Sequence, residues 1–400
     1  MRVAVASWSP RRVGGVEEYV ALLLPAMHAA GLEVAFWHEV EEPRARDRLG
    51  VPSGVPDICA VEVGLEASIS RLRDWKPDVV YSQGVRDVGA EAKLLDVAPA
   101  VFFLHTYTGT CISGRKTFSR PVGTPCDRTF GWPCLVHYFP HGCGGNDPLT
   151  MWRLYKIQSL RLDLLHRYRR ILTHTDHMRH EMERHGLTAE VVPYPVEAPI
   201  FSEMSPGDGR WRLLYIARME TLKGGHLLLQ ALPSIARAAP RGVRVTMAGD
   251  GPSRPQWEAT ARDLQTRTPN LTVEFAGWLT QRQVGAHMNN ADLLVVPSLW
   301  GEPLGAIGPA AGHLGLPAAA FASGGIPQWL TDGVNGHLAP ADPPRPEALA
   351  AAVVRCLEDP LHYASLRKGA REMAAPFTMQ KHMPELLRVL EHAAAGKRRQ

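Results

Sequence analysis

The chain contains no run of eighteen apolar residues, the length that one helical membrane span requires, so no such span is expected. It has little excess charge. Forty-four Lys and Arg stand against forty Asp and Glu, a net charge of +4, too small to argue for a nucleic-acid partner. The first strand is not followed by G-x-G-x-x-G, so a bound dinucleotide is not indicated. Only six cysteines in a chain of this length and class argue against a disulfide scaffold, and the absence of a C-x-x-C pair leaves no clean zinc signature. The start, MRVAVASWSPRR, is too short in apolar residues for a signal peptide and reads as a first strand. A cytoplasmic protein is expected, ending in a solvated basic tail, GKRRQ.

What is present is the alternation of a soluble α/β enzyme. Four hundred residues suffice for two domains, each with its own core. Residues 2–6 (RVAVA) read as a buried strand, followed by a loop with Gly14 and Gly15. An amphipathic helix is expected over Glu17 to Ala30, and a second strand over 32–37. Gly14 and Gly15 serve either tight turn geometry or a ligand-facing loop. Short buried strands are expected at 78–82 and 100–104. The latter delivers His105 to its carboxyl end, the edge where open α/β sheets bind ligands. A histidine there either exchanges a proton or hydrogen bond with a ligand, or merely bonds a loop carbonyl.

Residues 111–145 break the pattern. Cys111, Cys126, Cys134 and Cys143 fall among Gly, Pro and aromatics, with His137 and His141 nearby. An irregular segment of this length needs a staple or a function. A structural metal clip such as zinc, disulfides and unpaired thiols all remain open, and the segment is expected to cover a cleft and shape what enters it. A long helix is expected from Pro148 to Leu172, with Leu154, Ile157, Leu160, Leu164, Tyr168 and Ile171 as its apolar stripe. Residues 99–180 carry eleven Lys and Arg against four Asp and Glu. That local charge suits an anionic membrane surface or an anionic acceptor, or else is a solvated face.

Strands at 170–175 and 190–196 close the first domain, 1–197, and a polar linker is expected at 197–211. The second domain, 198–378, repeats the alternation, with strands at 212–217, 244–249, 273–277 and 293–297. Arg218 follows the first of these, and Lys223 lies beside Gly224 and Gly225 at a helix start. An arginine fork and a lysine point charge beside a helix N-terminus suit a diphosphate. After the last strand comes PSLWGEPLGAIGPAAGHLGLP (297–317). Its small residues let a phosphate approach the backbone of a following helix, with Pro309 in the first turn. Glu302 would repel a phosphate but suits hydroxyls. The composite reads as a cradle for a ligand that is part phosphate and part polyol: a sugar nucleotide.

These residues resemble the family 4 retaining glycosyltransferases, which have the GT-B fold. The pieces that match are Gly14-Gly15, His105, ARMETLKGG (217–225), AGDGP (248–252, with Gly251), FAGWL (275–279), ADLLVVPSLWGEPLG (291–305) and GHLGLPAAAFASGGIPQWLTDGVNGHL (312–338). The likeness covers nearly all of the second domain and is patchier in the first. It implies two Rossmann-like domains facing across a cleft, with 379–400 holding a helix that crosses back and the tail. It implies transfer of a sugar from a nucleotide diphosphate sugar, with retention and no essential metal, to a sugar, glycan, lipid-linked or small-molecule acceptor. Arg218 and Lys223 would hold the diphosphate and Glu302 the donor sugar. Pro303, Leu304, Gly305 and Ala306 would form the phosphate loop, and His105 would lie near the reacting carbon. The family's second glutamate is replaced by Ala310, and a glutamate after the GG-x-P turn by Gln328. A nucleotide-sugar epimerase on the same fold, and a non-catalytic sugar-nucleotide or glycan-binding protein, are the competing readings.

Overall fold

The computed structural model describes residues 1–12, 14–41, 47–121, 123–199 and 208–396. The chain divides into two units. One comprises residues 1–115, 128–196 and 377–400, the other 116–127 and 197–376. Most of the expected linker lies outside the described residues. Among the described residues no helix is long and apolar enough to cross a membrane.

The first unit is built on β1 (Arg2–Ser7), β2 (Glu33–His38), β3 (Asp57–Cys59), β4 (Val79–Ser82) and β5 (Ala100–Phe103). A small antiparallel hairpin follows, β6 (Thr117–Phe118) with β7 (Thr124–Pro125), and belongs to the other unit. The sheet is completed by β8 (Arg170–Thr173) and β9 (Ala189–Val191). Its order is β3-β2-β1-β4-β5-β8-β9 and all its pairings are parallel. Val3, Ala4, Val5 and Ala6 are wholly buried, because helices cover both faces of a parallel sheet and leave no polar side. The helix Gly15–Ala29 starts two residues earlier than expected. The Glu17 carboxylate accepts from the Gly14 N–H at 2.7 Å and from Trp8 Nε1, which caps the first turn.

The long helix runs Pro148–Leu165 and stops short of residue 172. Arg169 N donates to Ala100 O at 2.8 Å, so sheet pairing captures the chain before another helical turn can form. Asp147 caps its start by accepting from Leu149 N and Thr150 N. The cysteine segment, expected to be irregular throughout, contains the β6–β7 hairpin and a short helix, Pro133–His137. Ile112, Phe130 and Tyr138 form a small separate core there, with Met151, Leu154 and Tyr155 of the long helix against it. Residues 116–127, expected within the first domain, group with the second unit instead. Gly123 packs against Leu299 and Leu222 of that unit.

The second unit carries β10 (Trp211–Ile216), β11 (Val243–Ala248), β12 (Leu271–Gly277), β13 (Leu293–Val296), β14 (Ala318–Phe321) and β15 (Gly336–Ala339). Their order is β12-β11-β10-β13-β14-β15, again all parallel. In both sheets the chain winds outward one way from the first strand, then crosses to its other side. The resulting switch points are β1/β4 and β10/β13, where neighbouring crossovers leave on opposite faces and open a crevice at the strands' carboxyl ends. Leu213, Val245, Leu293 and Phe321 meet Leu228, Leu232, Leu349 and Val353 from the covering helices in one buried core.

The C-terminal helix Met379–Ala395 packs on the first unit, with Leu386, Val389 and Leu390 buried. It is pinned by His382, which is fully buried. His382 Nδ1 lies 2.6 Å from the Pro193 carbonyl, which can only accept, so Nδ1 carries the proton. Nε2 must then accept from the Tyr19 hydroxyl at 2.7 Å, and Tyr19 in turn accepts from Tyr81 at 2.7 Å. Burial pushes the His382 pKa down to about 4. The unfolded value is about 6.5, so the folded state binds fewer protons between the two. Stability is therefore greatest above pH ~6.5 and declines as pH falls toward 4. His382→Leu should cost about 3 kcal/mol in urea denaturation at pH 7.5, since two buried polar groups lose their partners. Its deficit should narrow at pH 5, where only the chain with His382 has lost stability. An equal deficit at both pH values would show that the histidine's ionisation is not coupled to folding.

Candidate functional site

The second unit's crevice forms where β10 and β13 end. Leu213 pairs with Leu293 and Leu214 with Leu294, so both strands release their loops at one edge. From β10 come Arg218 and, through the short turn Thr221–Lys223, Lys223. From β13 come Ser298 to Gly305. The two loops are tied at one atom, as the N–H groups of Leu299 and Trp300 both donate to Leu222 O, at 2.8 and 3.1 Å. Gly224 makes this approach feasible. Its φ is +68°, and a Cβ there would overlap the Pro297 carbonyl oxygen.

Lys223 Nζ lies 2.6 Å from Glu302 Oε1, and Ser298 Oγ donates to the same oxygen at 2.7 Å. Lys223 also sits over the Trp300 ring, 4.4 Å from its centroid. Glu302 is buried, with 6% of its surface exposed. Its Oε2 makes no hydrogen bond among the described residues. A second layer holds this loop. Gly325 N donates to Glu302 O at 2.6 Å, Ser323 Oγ to Trp300 O at 2.7 Å, and Trp329 Nε1 to Leu304 O at 2.7 Å. The GG-x-P turn thus supports the glutamate's backbone.

The pocket is lined by Ala217, Arg218, Lys223, Ser298, Glu302 and Gly305, with Tyr215, Val296, Ala306 and Ile307 among its other walls. The helix that follows, Ile307–His313, makes its first bonds from Gly308 N to Gly305 O and Ala310 N to Ala306 O. The amides of Ala306 and Ile307 precede that ladder and are its open donors. Arg218 is exposed and makes no ion pair among the described residues. Pro303 and Leu304, expected to face a ligand, are buried and do not line the pocket. Gly251 is a brace, not a wall: its φ is +156° and its backbone lies against Met219, next to Arg218.

His105 and the Gly14-Gly15 pair belong to the first unit. Gly14 caps a helix, and Gly15 O accepts from Tyr194 Oη at 3.1 Å. His105 stands beyond β5, where its Nε2 meets Gln83 Oε1 at 2.9 Å. Gln83 follows β4 immediately. Burial lowers the His105 pKa well below its usual value, and His174 and His382 lower it further, so the ring is neutral at pH 7. Sequence reasoning missed Gln83, Tyr19, His174, Tyr194 and Ser298. Gln83 and Ser298 did carry a signal, since each follows a strand at its carboxyl end. The others are brought in by packing.

The four clustered cysteines are divided between the two units. Cys126 lies in the second unit, the other three in the first. Cys143 Sγ lies 3.9 Å from His137 O, Cys134 Sγ 4.0 Å from Thr129 O, and Cys111 Sγ 3.5 Å from Ser113 Oγ. None of the four is in a disulfide. Among the described residues no group of three or more His, Cys, Asp or Glu could hold a metal.

Two cations, a buried carboxylate and open amides meet at the switch point of a doubly wound half, a candidate site for an anion beside hydroxyls. Residues 13–198 match the family described as Glycosyltransferase Family 4, and residues 210–359 that described as Glycosyl transferases group 1. Between them these matches take in most of the chain, which belongs to the family 4 (group 1) glycosyltransferases. It is 31% identical over 200 residues to glycogen synthase of Mycobacterium tuberculosis, covering 50% of this chain and 46% of the relative. It thus spans about half the length of the curated relatives it matches. Sucrose-phosphate synthase from Thermosynechococcus elongatus superposes with a TM-score of 0.71 at 18% identity, over 98% of this chain and 99% of that one. Anabaena HepE, solved with UDP and glucose, does so with a TM-score of 0.64 at 17% identity, over 97% and 99%. These likenesses show the fold, two Rossmann-like halves of GT-B type.

The ion pair and the exposed arginine should separate in a stability assay. Lys223→Ala strands a buried carboxylate and should cost about 3 kcal/mol. Arg218→Ala should stay within about 0.5 kcal/mol of the unsubstituted chain. Equal melting temperatures for the two variants would contradict the burial of the Lys223–Glu302 pair.

Proposed function

We propose that the protein is a retaining glycosyltransferase that moves a hexose-type sugar from a nucleotide diphosphate sugar to a sugar, glycan, lipid-linked or small-molecule acceptor. The observation that carries this is the pairing of Lys223 with Glu302 in one pocket beside Arg218 and the open amides of Ala306 and Ile307. Breaking the bond between sugar and diphosphate develops negative charge on the phosphate and positive charge on the sugar. Arg218, Lys223 and the amides meet the first. These fixed cations do the work of charge neutralisation, so no metal is required for the step. Glu302 meets the sugar. Lys223 and Ser298 occupy Oε1, which leaves Oε2 to accept from a sugar hydroxyl. HepE, which shares the fold, was solved with UDP and glucose, in keeping with a uridine donor here. Ala310 puts a methyl where the family commonly has a carboxylate that binds the nucleotide ribose, so this position supplies no such contact here.

The epimerase reading needs acid and base carboxylates in the pocket, and Glu302 is the only carboxylate lining it among the described residues. A binding protein without turnover would share the pocket but leave the donor intact. Melting temperature against UDP-, GDP-, ADP- and TDP-sugars tests the donor site, because a ligand that binds only the folded chain must raise it. One nucleotide class should raise it, and Arg218→Ala should abolish that rise while its own melting temperature is unchanged. Transfer followed by NMR should show the donor's anomeric configuration kept in the product. No shift with any nucleotide would sink the transferase, and a shift without turnover would favour the binding protein.

A cytoplasmic protein in peripheral contact with anionic membrane accounts for the surface of the first unit. Six of the ten exposed large hydrophobics described lie between residues 132 and 160, with Trp132 70% and Leu149 79% exposed. Along the long helix Leu149, Trp152 and Leu160 alternate with Arg153 and Lys156, a mix suited to a charged lipid interface. Phosphatidylglycerol vesicles should sediment the chain at low salt and release it at high salt. Leu149→Ser with Trp152→Ser should weaken that binding several-fold. Equal binding to neutral vesicles would rule out the electrostatic part.

A further inference from the structure

The first sheet has its own switch point, between β1 and β4, and the residue at that point is Gln83. Its N–H donates to Ala6 O at 2.8 Å, extending the pairing of the two strands one step past their ends. The side chain is 4% exposed. Its Oε1 faces His105 Nε2 at 2.9 Å, and its amide reaches the Tyr81 hydroxyl on the neighbouring strand.

A carboxamide oxygen only accepts, so His105 Nε2 carries the proton of the neutral ring. Its Nδ1 then bears the lone pair. Nδ1 makes no hydrogen bond among the described residues and is not one of the buried unpartnered atoms. The ring is also held in place sideways. Phe103, Tyr19 and His174 lie 4.8, 5.4 and 5.9 Å from its centroid. Rotation by a half-turn would exchange the two faces only by losing the bond to Gln83.

We propose that Gln83 is a positioning residue: it holds His105 as the Nε2–H tautomer, so that Nδ1 is presented as the acceptor for a ligand hydroxyl at the carboxyl edge of the first sheet. The role of Nδ1 rests on the transferase reading above, but the tautomer does not. Without Gln83 no bond holds the proton on Nε2, and molecules that carry it on Nδ1 would meet the hydroxyl with a donor instead of an acceptor.

The test is the nitrogen-15 spectrum of the histidine-labelled full chain, with His105 assigned by the signals lost in His105→Asn. In the unsubstituted protein His105 should be neutral, with Nε2 protonated and Nδ1 not. Gln83→Leu should show a mixture of tautomers or the Nδ1–H form. Gln83→Glu, which keeps an acceptor in place, should restore the single form. With the donor found by the nucleotide panel, kcat should fall in Gln83→Leu at unchanged KM and recover in Gln83→Glu. An Nδ1–H ring in the unsubstituted protein, or an unaltered tautomer in Gln83→Leu, would overturn the proposal. A panel in which no donor binds would sink the transferase reading and leave the spectrum to decide the tautomer.

Discussion

The second unit depends on one close approach. The loops leaving β10 and β13 meet where Leu222 O accepts from Leu299 and Trp300, and Gly224 admits the Pro297 carbonyl. Without that contact Lys223 and Glu302 would be two charged side chains on separate loops. With it they are buried together at 2.6 Å. The pair is costly to bury and gains little stability by itself. Its value is positional: a cation and a carboxylate are fixed side by side where a ligand with charge at one end and hydroxyls at the other would lie. The GG-x-P turn behind it holds the backbone of Glu302, so the carboxylate cannot drift when its partner turns to a phosphate.

The first unit solves a related problem with neutral groups. Its switch point is filled by aromatic and imidazole rings, with Phe103 among Tyr19, His105, His174, Tyr194 and His382. Burial keeps His105 and His382 uncharged, and each ring's hydrogen bonds settle which nitrogen bears the proton. His382 uses this to clamp the C-terminal helix, and His105 to offer a defined acceptor. One unit thus presents charge and the other a neutral hydrogen-bonding face.

Much of this was legible in the residues in order. Continuous apolar runs such as RVAVAS and LLVV signalled parallel strands because both faces are covered. Turn residues and capping patterns marked the helix starts to within two residues. Arg218, Lys223 and Glu302 were legible because each follows a strand, and strand ends are where doubly wound sheets bind. The long helix was overextended because its periodicity continues through Tyr168 and Ile171, while the bond that ends it joins Arg169 to Ala100, sixty-nine residues away in sequence. The inward turn of Leu304 is set by Trp329, which no local pattern announces.

The sequence by itself determined the two alternating sheets, their strands' carboxyl edges, and the family to which the chain belongs, because these follow from local periodicity and short contiguous motifs. Tertiary structure alone decided that Lys223 pairs with Glu302, that residues 116–127 join the second unit, and that His105 meets Gln83 and His382 meets Tyr19. Those facts depend on contacts between residues tens to hundreds of positions apart, and on burial, which sets both the charge of a histidine and the cost of leaving any polar atom alone.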